Sequence, residues 1–324
     1  MKILFINDPN PEGQDQLADS LLHGFVRAFG QQNVREFYGH RRKYSDHEYL
    51  KDWPIHLGAL AYGERQVYDQ VYDVVIANTR ALHDAETMQL LMLMRAKPII
   101  LISSGDSPEQ PPNLRFKPAL VVHRPGNAWE GYPNLELFIS VPSEWFYYHR
   151  GQARRSDEMP IDSEMAINGY AAMSDNHPLR REVLRALGNA HIPCTIWRFG
   201  SGSGYKIPFT MGTVPVPKFL RELSMAHCVV NVRGGNIDTM CVSETFIAES
   251  LLITTPFGAD DRYIDSEHCL YYKTPEEAVE KTGWAIAHPD AAREIAKQGA
   301  AYYRRHDTPE CQAVRIMVKA GLIK

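Results

Sequence analysis

The run from His227 to Gly258, HCVVNVRGGNIDTMCVSETFIAESLLITTPFG, decides how the chain is read. Cys228 to Val232 is a short apolar stretch with the length and β-branched content of a buried strand. A loop follows with Arg233, Gly234, Gly235 and Asn236, then Ser243-Glu244 at the head of a helical segment. A second apolar run, Leu251 to Thr255, is stopped by Pro256 and Gly258. Strand, glycine loop, helix with an acidic start, and strand make one βαβ unit. Such a unit sets free backbone N–H groups at the carboxyl edge of a parallel sheet. A phosphate fits against those groups, and a carboxylate beside them accepts hydrogen bonds from ribose hydroxyls.

The rest of the chain has the same alternation. Lys2 to Ile6 reads as a first strand, followed by a loop through Glu12-Gly13 and a helix with apolar residues from Leu17 to Phe29. That loop lacks G-x-G-x-x-G, which argues against a dinucleotide on the first turn. Strands are expected at Val34 to Tyr38, Tyr72 to Ala77, Ile99 to Ser103, Leu120 to Val122 and Leu137 to Val141, with a helix at Ala85 to Met94. The polar stretch Arg150 to Glu164 reads as an interdomain linker. Beyond it come strands at Met165 to Asn168 and Thr195 to Phe199, with helices at His177 to Leu187 and Val216 to Ala226. His268 to Tyr272 is a strand, and helices at Pro275–Ala287, Pro289–Arg304 and Pro309–Ala320 end the sequence. Strand–helix alternation on this scale means parallel sheets covered on both faces. The division expected is 1–155, 156–310, and a final helix over 311–324 packing back on the first domain.

Composition narrows the function classes. The 324 residues suffice for two cores, and a net charge of −4 supplies no global basic field for nucleic acid. Local basic clusters at His40–Lys43 and His149–Arg155 read first as solvated loops. The five cysteines include no C-x-x-C pair, so neither a zinc cage nor a disulfide framework is suggested, and a reducing cytoplasm is expected. Met1 to Asp8 is too short an apolar stretch for a signal peptide, and no segment has membrane-spanning length. Two lookalikes fail. Gly200 to Lys206 lacks the Gly-Lys-Ser/Thr of a phosphate loop, and the histidines from His288 to His306 form no H-E-x-x-H.

With these residues in view, the span Val230 to His306 resembles the carboxyl-terminal domain of GT-B glycosyltransferases, in particular the spore-maturation-protein-type group. Ser243-Glu244-Thr245-Phe246-Ile247-Ala248-Glu249-Ser250 stands where that group has its Glu–Ala–Leu–Ala–Cys–Gly segment, ahead of the strand Leu251 to Thr255. Tyr271 to Glu277, Ala287-His288-Pro289, and Ala300, Tyr302, Arg304 and His306 match its later phrasing. The likeness is good over the last third, loose over Met165 to Ala226, and architectural in the amino half. Two positions depart from the pattern: Glu249 replaces a glycine, and Asn236 stands where retaining relatives complete a glutamate pair with Glu244.

The resemblance implies an α/β chain of GT-B architecture, two Rossmann-like doubly wound domains facing each other across a cleft. It implies transfer of a sugar from a nucleotide-sugar donor, taken as a UDP sugar, to an acceptor hydroxyl. The nucleotide sugar is substrate, and no further cofactor is expected. Metal-dependent relatives of the other fold use D-x-D, a triplet missing from this sequence, so no metal is required. Helix N-termini and basic side chains then hold the diphosphate. The donor-side candidates are Glu244 on the ribose, its neighbours Ser243 and Thr245, and Arg233, Gly234, Gly235 and Asn236 in the loop. Arg180 or Arg181 at a helix start, Lys206 after the glycine turn, Val216 in the turn reading the nucleobase, and Gly13 beside the sugar-phosphate complete them. Asp106, ending a strand on the acceptor side, is the candidate base or orienting group. His123 and His56 are weaker and read as structural histidines.

Three alternatives stay open. A DNA-modifying glycosyltransferase acting on a hydroxymethylated base would need the basic clusters and aromatic neighbours such as Trp53, Trp129 or Trp145. A nucleotide-sugar epimerase would need more acid–base residues. A non-catalytic nucleotide-sugar-binding protein is the third. The acceptor, whether saccharide, protein, small molecule or modified DNA, is not named by the sequence.

Overall fold

A computed structural model of the chain describes residues 1–9, 16–37, 71–105, 113–144, 146, 167–174, 177–199, 210–211, 216–232, 239–257 and 262–324. They form two compact units, Met1–Trp145 with His306–Lys324, and Phe146–Arg305.

In the first unit six parallel strands stand in the order β2-β1-β3-β4-β5-β6. They are β1 (Ile3–Ile6), β2 (Val34–Phe37), β3 (Val74–Asn78), β4 (Ile99–Ser103), β5 (Leu120–His123) and β6 (Asn134–Glu136). β1, β3, β4 and β5 read as unbroken buried runs because a parallel sheet is covered on both faces. Helix α2 (Ala85–Leu93) packs Leu90 and Leu91 with Leu4, Ile6, Val75 and Leu101 on one face. Helix α1 (Gln16–Phe29) covers the other, its Phe25 ring 6.2 Å from that of Phe5.

Leu137 to Val141, expected as the last strand, is a correction: the ladder stops at Glu136. The run is buried for another reason. Its carbonyls are satisfied by side chains, Ser20 Oγ donating to Ser140 O (2.6 Å) and Gln312 Nε2 to Phe138 O (2.9 Å). Gln312 belongs to α8 (Pro309–Lys319), which lies against α1. The helices cross so closely that a Cβ on Gly24 would sit 2.1 Å from the carbonyl oxygen of Pro309. At this crossing Arg27 reaches Glu144 (3.0 Å) and Glu310 (3.9 Å), with the buried His23 3.9 Å from Glu144.

The second unit repeats the plan with six parallel strands ordered β12-β11-β10-β7-β8-β9. They are β7 (Ile167–Ser174), β8 (Cys194–Phe199), β9 (Thr210–Met211), β10 (Ala226–Val230), β11 (Leu251–Thr254) and β12 (Leu270–Tyr271). Side chains alternate along β10. Cys228 and Val230 join α3 (Pro178–Asn189), α6 (Pro275–Ala287) and α7 (Pro289–His306) in one core, while α4 (Val216–Met225) and α5 (Met240–Ile247) pack elsewhere on the sheet. Among the described residues no helix is long and apolar enough to cross a membrane.

Helix α5 ends in a Schellman motif. Glu249 N–H bonds Phe246 O and Ser250 N–H bonds Thr245 O, each at 3.2 Å, with Glu249 left-handed at φ 58°. This is the position at which the resembling group carries glycine. A non-glycine residue there costs about 1–2 kcal/mol, offset in part by the half-exposed ion pair of Glu249 with Arg304, worth about 0–1 kcal/mol. Glu249→Gly should therefore raise the melting temperature by about 2 °C; calorimetric scanning that shows a fall would mean the ion pair dominates.

Burial pushes the His23 pKa down to about 4, Arg27 adding to the effect and Glu144 opposing it. An unfolded histidine titrates near 6.5, so below that value the unfolded chain takes up a proton that the folded chain refuses. Stability is complete above about pH 6.5 and declines as pH falls toward 4. Between pH 6.5 and 5 the wild type should lose about 2 kcal/mol more than His23→Gln in urea titrations. Parallel losses in the two proteins would remove His23 as the cause.

Candidate functional site

In each sheet the strand order reverses once, between β1 and β3 in the first unit and between β7 and β10 in the second. Connections leaving the two strands at a reversal diverge, which opens a crevice at their carboxyl ends. In the second unit the chain beyond β10 and the first turn of α3 meet at this point.

Asn231, just past β10, is 5% exposed and extends the ladder, its N–H bonding Ile253 O at 2.8 Å. Its Nδ2 donates to Thr254 Oγ1 (3.1 Å), its Oδ1 accepts from Thr239 Oγ1 (3.0 Å), and its carbonyl accepts from the Tyr272 hydroxyl (2.8 Å). Thr239, extended at φ −144° and ψ 156°, is the N-cap of α5. The helix therefore begins at Met240, earlier than the expected start at Ser243-Glu244, because the Asn231 bond fixes Thr239 outside it. Glu244 lies in the second turn, not at the head.

Glu244 is 4% exposed, and among the described residues no cation pairs with it. Burial alone pushes its carboxyl up to about 8, so it is mostly protonated at pH 7. Around it, burial raises the Tyr170 hydroxyl far above its ordinary value, with Glu222, Cys241 and Glu244 adding to the rise. The Cys241 thiol is pushed up to about 12, burial first and Glu244 next, and stays protonated. Arg180 Nε donates to Val232 O (3.2 Å), which sets the guanidinium at the end of β10. Burial pulls its pKa down while Cys241 and Tyr272 oppose, and an arginine so placed keeps its charge.

Glu244 and Arg180 thus come near one another through Cys241, whose thiol both influence, while Ser243 is buried one residue before Glu244 on α5. Arg181 is the next residue on α3, turned about 100° away. Thr245 is fully buried, and its hydroxyl donates to Cys241 O within its own helix. Val216 is the first residue of α4. Arg233, Gly234, Gly235, Asn236, Lys206, Gly13, Asp106, His56, Trp53 and Trp145 lie outside the described residues.

In the first unit His123 is buried, with Nδ1 2.8 Å from Arg124 O, as a structural histidine would be. Trp129 is a correction: it is 1% exposed and packed in the core beside Tyr132, so it has no face on which a base could stack. Asn231, Thr239, Tyr170 and Tyr272 were not expected in the site. Only Asn231 left a trace in the sequence, as a polar residue interrupting an apolar run.

No protein-family model and no curated protein matches the chain. Solved structures do. Anabaena HepE, solved in complex with UDP-glucose, is 14% identical with a TM-score of 0.61, covering 98% of this chain and 99% of its own. A glycosyltransferase from Rickettsia africae is 11% identical with a TM-score of 0.62, covering 100% and 99%. The fold is that of the GT-B glycosyltransferases. An α-glucosyltransferase in complex with UDP-glucose and DNA containing an abasic site is also similar, 9% identical with a TM-score of 0.59 over 98% and 99%. At such identities the likeness is one of fold. Within this GT-B chain, the Glu244 cluster occupies the strand-order reversal of the second unit.

A raised carboxyl pKa gives stability that is whole below about pH 4.5 and declines as pH climbs toward 8. By pH 8 the penalty on Glu244 amounts to several kcal/mol. Glu244→Gln, which never ionises, should therefore be the more stable protein at pH 8.5 and nearly equal at pH 5. Denaturant midpoints at the two pH values check this, and equal differences at both would show that Glu244 is not held neutral by burial.

Proposed function

We propose that the chain is a nucleotide-sugar-dependent glycosyltransferase that takes its donor, a UDP sugar, at the β7–β10 reversal. The observation that carries this reading is Glu244, a carboxyl buried to 4% exposure with no cationic partner among the described residues. Such a group costs stability, and a ligand offering two adjacent hydroxyls, as a ribose does, would satisfy it. Arg180, bonded to the Val232 carbonyl just past β10, and the first turn of α5, one turn before Glu244, offer positive charge and a positive dipole end for a diphosphate.

In this reading the ribose hydroxyls donate to Glu244, and the diphosphate lies against Arg180 and the α5 amides. Those groups stabilise the charge that builds on the leaving phosphate as the anomeric bond breaks. The acceptor oxygen then bonds the anomeric carbon and gives up its proton to a base, for which Asp106 remains the candidate. With a helix terminus and an arginine doing this work, the reaction needs no metal. The motif resemblance supports the finer placement in the spore-maturation-protein-type group. One alternative loses ground, since the buried Trp129 removes one stacking platform from the DNA reading.

The test is to incubate the protein with a panel of nucleotide sugars, with and without candidate acceptors and with excess EDTA, and to follow free nucleoside diphosphate. Acceptor-dependent release of UDP that EDTA leaves intact is expected, with Glu244→Ala reducing kcat/KM about 10–100-fold. If UDP, GDP, ADP and TDP all fail to raise the melting temperature, or Glu244→Ala turns over as the parent does, the proposal is wrong.

A further inference from the structure

The crossing of α1 and α8 gathers a histidine and two glutamates that the proposed donor site does not use. His23 on α1, Glu144 in the stretch after β6 and Glu310 in the first turn of α8 each offer one ligand atom within 4.8 Å of the others. The tightness of the helix crossing makes this possible. A Cβ on Gly24 would sit 2.1 Å from the Pro309 carbonyl oxygen, and His23 and Glu310 are the chain neighbours of those two residues. All three side chains belong to the first unit.

The two oxygens of Glu144 face different neighbours. Oε1 accepts from Arg27 Nη2 at 3.0 Å, while Oε2 faces His23 Nε2 at 3.9 Å. That second distance is too long for a hydrogen bond. It is about half an ångström more than the roughly 3.4 Å that separates two ligands of a tetrahedral zinc ion. The His23 ring is wholly buried, whereas the side chains of Glu144 and Glu310 are 38% and 32% exposed. A cation held among them has a fixed nitrogen on its inner side and a way to solvent on its outer side.

We propose that His23, Glu144 and Glu310 bind a divalent transition-metal ion, Zn²⁺ in the first place, which pins α8 to α1. One imidazole nitrogen with two carboxylate oxygens suits zinc, whereas magnesium and calcium take oxygen alone. The two carboxylates match the charge of the ion, and a water from the exposed side completes four ligands. Arg27 keeps its bond to Glu144 Oε1 and orients that carboxylate, as outer partners of metal ligands do. Its contact with Glu310 Oε1 is long, 3.9 Å, and is given up when Glu310 turns to the ion. Because Glu310 arrives with the returning helix, the ion binds the closed first unit and not an open one. Its binding energy therefore adds to the closure. The proposal does not rest on the donor site.

The experiment uses the full, tag-free chain at pH 7, stripped with EDTA and desalted, and follows thermal unfolding with added Zn²⁺ or Mg²⁺. Binding of Co²⁺, a spectroscopic stand-in for zinc, is titrated by its visible absorption. Zn²⁺ at about a hundredfold excess over its dissociation constant should raise the melting temperature by about 5 °C or more. Mg²⁺ should leave it unchanged, and Co²⁺ should develop visible bands at one equivalent. His23→Gln and Glu310→Gln should each weaken Zn²⁺ binding by about tenfold or more and lose the Co²⁺ bands. No rise with Zn²⁺ in the wild type overturns the proposal. An equal rise in the variants places the ion on other cysteines or histidines and overturns it too, and an equal rise with Mg²⁺ reduces it to a charge effect. If His23→Gln does not fold, the partly exposed Glu310→Gln decides alone.

Discussion

A buried amide at the end of a parallel strand must find partners for both its oxygen and its nitrogen, and Asn231 finds them on pieces of chain far apart in sequence. Thr239, Thr254 and Tyr272 belong to the start of α5, the end of β11 and the segment after β12. Each bond is modest in free energy. Together they fix where three connections leave the sheet, and so the shape of the crevice at its carboxyl edge. Strand order opens a gap between β7 and β10, and the bonds of Asn231 give one wall of that gap a definite form.

Beside this satisfied polar group stands a buried carboxyl with no cationic partner among the described residues. Cys241 and Tyr170 stay neutral at neutral pH because burial raises their pKa values far above it, and neither imposes a charge on its surroundings. Glu244 has the same burial and a far lower intrinsic pKa, so it is the one residue of the cluster whose protonation changes near neutrality. A protein selected for stability alone would hold glutamine or leucine there. A carboxyl kept in so buried a setting costs stability, and such a cost is what a site retained for a ligand would carry.

Much of this architecture is legible in the residues. Helix α6 runs over Pro275–Ala287, as read, because Thr274, Pro275, Glu276 and Glu277 supply every local signal of a helix start. Buried parallel strands such as Ile99–Ser103 betray themselves as unbroken apolar runs. Leu137 to Val141 gives the same signal and is no strand, since side chains from α1 and α8 take its carbonyls. Sequence periodicity reports burial, not the partner of each backbone group. The candidate site divides along the same line. Glu244 is visible as an acid in an apolar helix, whereas Asn231, Tyr170 and Tyr272 take their roles from contacts that only the folded sheet creates. Glu249 is visible as a departure from glycine, and the left-handed backbone supplies the reason glycine is expected there.

The first unit is closed by a helix that the ribosome makes only after the whole of the second unit. Until α8 arrives, the groove over Gly24 is open, Ser140 and the Phe138 carbonyl lack Gln312, and Arg27 has Glu144 without Glu310. Residues 146–305, by contrast, are contiguous and hold their own core. The half synthesised second can therefore mature first, leaving the earlier half to wait on nascent-chain chaperones with an apolar helix face uncovered. For the same reason a cut at the boundary near residue 145 yields no intact amino-terminal domain. Fusing α8 behind residue 145 through a flexible tether would be the way to obtain one.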